Sequence, residues 1–137
     1  MSYALSHALQ QAIYARLTSD AALTALVGHE IHDGVPAGVV PPLYVSLGDE
    51  TVFDRSDVTD GGARHDFVLS VVSTEAGFAT AKSVAAAISD ALAGTPPTLT
   101  RGRIVGLWFL RAVARRASNN AARRIDLTFR AQVLDEI

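Results

Sequence analysis

Cysteine is absent from the chain. Its absence excludes disulfides, thiolate metal sites and cysteine nucleophiles, and it leaves the redox compartment unreadable. Long apolar runs are missing too, since none approaches the roughly 18 residues that a membrane-spanning helix requires. The opening MSYALSHALQQ has neither a basic leader nor a continuous apolar stretch, so no secretion signal is legible there. Charge is scarce: only 19% of residues are charged against 49% hydrophobic, a balance suited to a packed core rather than a disordered tail. Few charges and many alanines also leave room for an extensive subunit contact.

Enzyme motifs are equally missing. No GxSxG elbow presents a serine nucleophile. DGVPAG has glycines but lacks the lysine and the following helix of a phosphate-cradling loop. His29 and His32 in HEIH are three apart, but this is not the HExxH pattern, and on an extended segment their rings would point to opposite faces. His7 and His65 stand alone, and the acids after Leu47 do not follow the alternating oxygen-ligand pattern of a calcium loop. The expectation is a protein that is not an enzyme, with no catalytic, cofactor or metal site.

What is present reads as one domain, residues 1–137, long enough to bury roughly two thirds of its extended surface. Leu5, Ala8, Leu9, Ala12, Ile13 and Leu17 recur at helical spacing and predict a helix over 3–18. TSDAALTALVG predicts a second, short helix, with Ser19 or Asp20 capping its start and Gly28 ending it. Pro41 and Pro42 delay pairing, and Leu43, Val45 and Leu47 then alternate as a half-buried strand. DRSDVTDGGA reads as a polar loop and RHDFVLSVVST as a strand. GFATAKSVAAAISDALAG is a helix whose buried face is expected to include Phe78, Ala81, Ala85, Ile88 and Leu92. RIVGLWFLRAVARR and RRIDLTFRAQVLDEI pair antiparallel, with Ile125, Leu127, Phe129, Ala131 and Val133 on one face. The order α, α, β, β, α, β, β predicts an α+β fold: a two-layer sandwich, a mainly antiparallel sheet with helices packed on one face. Trp108 and Phe109 fall on opposite sides of their strand, so one should be core and the other exposed, covered by a helix or buried against a neighbour.

Charge is unevenly placed. Residues 1–100 carry four basic side chains against eleven acids, whereas residues 101–137 carry eight arginines against three acids. The acids gather in one stretch, at Asp49, Glu50, Asp54, Asp57 and Asp60, read as a solvated loop or a contact surface that orders on assembly. The arginines gather around SNNAA, with Arg111, Arg115 and Arg116 before the turn and Arg123, Arg124 and Arg130 after it. Opposed arginines would repel unless acids, phosphates or solvent relieve them. Two readings compete. A head-to-tail oligomer could pair the two surfaces; a small nucleic-acid-binding module could use the basic hairpin alone. The second lacks an aromatic platform, since only Trp108 or Phe109 could stack on bases.

The layout resembles the tail-completion, or tail-terminator, proteins of long-tailed bacteriophages and gene transfer agents. The likeness runs nearly end to end, through LTSDAALTALVG, IHDGVP, PPLYVSLGDE, HDFVLSVVSTEAGFATAKSVAAAISDAL and RRIDLTFRAQV. It implies a structural virion protein rather than a catalyst: a homo-oligomer, a hexameric ring, that caps the head-proximal end of the tail tube. Such a ring would touch the tube protein on one side and the head-tail connector or stopper on the other. The resemblance also implies assembly in the bacterial cytoplasm, no membrane, and a non-specific contact with DNA if the arginines face the lumen. These acids and arginines then become expected contacts between subunits or between stacked rings.

Overall fold

A computed structural model describes residues 3–54, 62–116 and 122–135. Residues 117–121, which hold all but the last residue of SNNAA, and the acids Asp57 and Asp60 therefore lie outside the described residues. Among the described residues three helices and five strands follow one another as α1 (Ser6–Ser19), α2 (Ala21–Val27), β1 (Ile31–Asp33), β2 (Leu43–Asp54), β3 (Gly62–Ser73), α3 (Ala79–Leu92), β4 (Arg103–Arg116) and β5 (Arg123–Leu134). The helices pack against a mostly antiparallel sheet of order β1-β2-β3-β5-β4, the expected α+β sandwich.

Local chemistry accounts for the helix limits. The predicted stripe of α1 is its buried face, from Ala8 to Leu17. Asp20 accepts a hydrogen bond from the Leu23 amide at 3.0 Å and caps α2, while Gly28, at φ +62°, ends it. In α3 the alanines of AAAISDALA let the helix settle closely on β3 and β5. Phe78 departs from expectation. It occupies the N-cap instead of the helical face, half-buried against the core edge, because the helix begins only at Ala79.

The core lies between the helices and one face of the sheet. Ile125, Leu127, Phe129, Ala131 and Val133 of β5 all point into it, as the alternation required. Phe129 sits at its centre, stacked on Phe67 at 5.9 Å and met edge-on by Phe109 at 5.7 Å. Such ring pairs add about 0.5–1.5 kcal/mol beyond the area they bury.

Three features differ from the sequence reading. First, a fifth strand exists: Ile31–Asp33 pairs parallel with Val45–Leu47. Three residues are too few to display an alternation, so the segment reads as loop from sequence. Second, β2 runs on to Asp54, which makes Asp49, Glu50 and Asp54 strand residues rather than loop residues. A bulge between Leu47 and Glu50 hides this continuation by breaking the alternation, and it turns Glu50 toward the helices. Third, neither Trp108 nor Phe109 is core, for both remain half exposed. They lie on β4, the edge strand, beyond the span of α3, and every residue from Trp108 to Arg116 is exposed.

Candidate assembly surface

The bulge builds the first polar cluster. Glu50 Oε1 accepts hydrogen bonds from Tyr3 Oη at 2.8 Å and Ser6 Oγ at 2.7 Å, which tie the start of α1 to β2. Glu50 Oε2 lies 2.9 Å from Nδ1 of the fully buried His65, and since a carboxylate only accepts, Nδ1 donates. Burial pushes the Glu50 carboxyl up, but hydrogen bonds from His65, Ser6 and Tyr3 outweigh it and hold it below its ordinary value. Glu50 is thus satisfied inside the subunit, on the face opposite the arginine groove.

The second cluster lies on the sheet face that carries no helix. Alternation in β5 sends Arg124, Asp126, Thr128 and Arg130 there, opposite the buried set. Arg130 grips Asp66 of β3 with two bonds, of 2.9 and 3.0 Å. The Arg130 guanidinium holds the Asp66 carboxyl below its ordinary range, against a smaller opposing effect of burial. Higher on the same face Asp126 accepts from Ser70 Oγ at 2.6 Å and Arg124 Nε at 2.9 Å, and it pairs with Arg115 at 3.1 Å. Arg115 stands directly opposite Arg124, and Asp126 relieves the repulsion that such a pairing implies. Arg116 stands opposite Arg123, which turns away to donate to the Ala76 carbonyl at 2.8 Å and lies over the Phe78 ring.

Arg111, Arg115, Arg124 and Asp126 line a groove of about 300 Å³, and Asp49 stands at its rim. The structure therefore brings one predicted acid and three predicted arginines together within a single chain. Arg111, Arg116 and Asp49 have no ion pair among the described residues. Glu50 and Arg130 are committed to internal partners, and Asp54 closes β2 at the sheet's top. Sequence reasoning missed Asp66 and Ser70 as the internal partners of the arginines. Their position on the outward alternation of HDFVLS is the signal that locates them.

Among the described residues no cluster of three His, Asp or Glu side chains could hold a metal ion, and no helix is long and apolar enough to cross a membrane. The exposed apolar surface includes much of β4, where Val105, Trp108, Phe109, Leu110 and Val113 are all exposed.

Comparison with known families decides what kind of protein carries this surface. The profile of the tail completion protein gp17 family matches residues 11–134. The chain belongs to that family. Among solved structures, a chain from the virion of a native gene transfer agent particle is 59% identical and superposes with a TM-score of 0.92. The match covers 97% of this chain and 99% of the other. No curated protein sequence matches. This tail-completion protein is a structural component of a phage-like virion tail.

Proposed function

We propose that this tail-completion protein, as a single domain of residues 1–137, closes into a homo-oligomeric ring, a hexamer, at the head-proximal end of a tail tube. There it ends the addition of tube protein and offers its other side to the head-tail connector or stopper. The observation that carries this reading is the nearly full-length, 59%-identical match to a chain of an assembled gene transfer agent virion. The exposed apolar strand β4 supports it, together with Asp49, Arg111 and Arg116, which have no ion pair among the described residues and are free to meet a neighbour.

Subunit contacts in this reading use Asp49, Asp54, Arg111, Arg115 and Arg116, with Asp57 and Asp60 as further candidates. Glu50, Arg123, Arg124 and Arg130 are engaged by partners within their own subunit. Arginines outnumber acids on the helix-free face. That surplus supports a sequence-independent, salt-sensitive contact with DNA where this face lines the passage.

Deleting the gene from a producing strain and imaging the particles tests the function. Expected are tails of uncontrolled length and unattached heads, both restored by the wild-type chain. Tails of normal length joined to heads in the deletion strain would overturn the reading.

A further inference from the structure

The two edges of the sheet are unlike. At one edge is β4, fourteen residues long, with four arginines and no acid. The opposite edge is β1 together with β2 beyond Leu47, where β2 is paired only on its β3 side among the described residues. This second edge carries Asp33, Asp49 and Asp54, all exposed, and an apolar loop in which Val35 and Val39 are 73% and 96% exposed. Each edge thus offers unpaired strand, exposed apolar side chains and one sign of charge, and the signs are opposite.

Strand direction agrees with this complementarity. From β2 through β3 and β5 to β4 every pairing is antiparallel, so β4 runs opposite to β2. A second copy placed head to tail would set its β2 antiparallel to the first copy's β4, and the alternation of directions would continue without a break. The registers also match in height. Arg103 lies level with the Asp54 end of β2, and Arg116 level with Leu43 and the β1 end. Symmetric pairing of β4 with another β4 would instead bring four arginines from each side together with no carboxylate between them.

We infer that β4 of one subunit docks on the β1/β2 edge of a second copy of this chain, extending the sheet antiparallel from subunit to subunit. The contact is heterologous: one edge of each copy is used once, and the other edge stays open for the next copy until the ring closes. Arg111, Arg115 and Arg116 face Asp33 and Asp49 of the neighbour, while Val105 and Trp108 face its Thr51–Asp54 segment. This inference rests on the ring reading and specifies which surfaces make the ring.

The absence of native cysteine allows a direct test. Two double variants that join residues at one height in the sheet, Trp108→Cys with Thr51→Cys and Val113→Cys with His32→Cys, are introduced into the full chain and incorporated into particles. Mild oxidation is expected to give a ladder of covalent multimers that ends at the ring's copy number, from at least one double variant and from neither β4 variant alone. Dimers from Val113→Cys alone would show symmetric β4 pairing and overturn the inference. Intact rings in particles without cross-links from either pair would also overturn it, while leaving the ring reading standing. Particles in which the protein forms no ring would sink both.

Discussion

Glu50 is the residue at which assembly and folding separate. It belongs to the acidic stretch, yet the bulge at Gly48 and Asp49 swings it under α1, where Tyr3, Ser6 and His65 satisfy it. Its folded pKa lies below the ordinary value of 4.5, so the stabilisation it contributes is present above that pH and lost as pH falls through the folded pKa. Asp66, held down mainly by its bond to Arg130, titrates in the same direction. Glu50→Gln keeps the shape but loses the charge-assisted bonds. It should cost about 1–3 kcal/mol at neutral pH and flatten the fall of the urea midpoint between about pH 5 and pH 3. A midpoint unchanged from wild type at both ends would show that the cluster is energetically idle. Gly102 makes a related point about space. At φ +71°, any Cβ there would lie 2.5 Å from the Leu134 carbonyl oxygen and 2.8 Å from Leu5, so only glycine lets α1 close over the entry to β4.

Among the elements, β4 behaves unlike the rest because it contributes little to the core and much to the surface. Reversing its charge should therefore spare folding and harm assembly. Arg116→Glu is the cleaner change, since Arg116 has no ion pair among the described residues and its stability cost should stay within about 0.5 kcal/mol. Arg115→Glu also places a carboxylate beside Asp126 and should lower the melting temperature slightly. Both are expected to reduce ring formation or head joining, read as free tails and heads by electron microscopy. Normal particles from Arg116→Glu would remove that residue from the interface.

The same elements show what sequence could reveal. The faces of α1 and β5 were legible because each has an unbroken period and one buried side. β1 was not, because parallel pairing of three residues is decided by its partner. The far half of β2 was masked by a bulge, which shifts the alternation by a residue and makes a strand look like a loop. Bulges between Ile104 and Gly106 and between Phe109 and Arg111 do the same on β4. The arginines were recognised as a group, but their division into paired and unpaired members depended on Asp66 and Ser70, which come from a strand far away in sequence.

At the scale of the whole molecule the modest net charge of −2 conceals a polarity from one sheet edge to the other. Basic β4 and the acidic β1/β2 edge lie on opposite sides of one sheet. In the proposed ring, attraction between unlike edges of different copies would be electrostatic as well as apolar, and it should respond to ionic strength. Raising salt from about 0.1 M to about 1 M shortens the screening length from roughly 10 Å to roughly 3 Å. Isolated rings should then loosen, seen as a shift toward lower mass by light scattering. An unchanged mass across that range would mean that apolar packing alone holds the subunits.

The nakedness of β4 has another consequence, for the subunit before it finds its place. A long unpaired strand bearing Trp108, Phe109 and Leu110 is a template for irregular stacking, the hazard that leads to precipitation and fibres. Its arginines, with no acid among them, make two such strands repel. In the proposed assembly they would act as gatekeepers that keep newly made chains dispersed until an acidic edge arrives, so the charges that select the neighbour would also guard solubility.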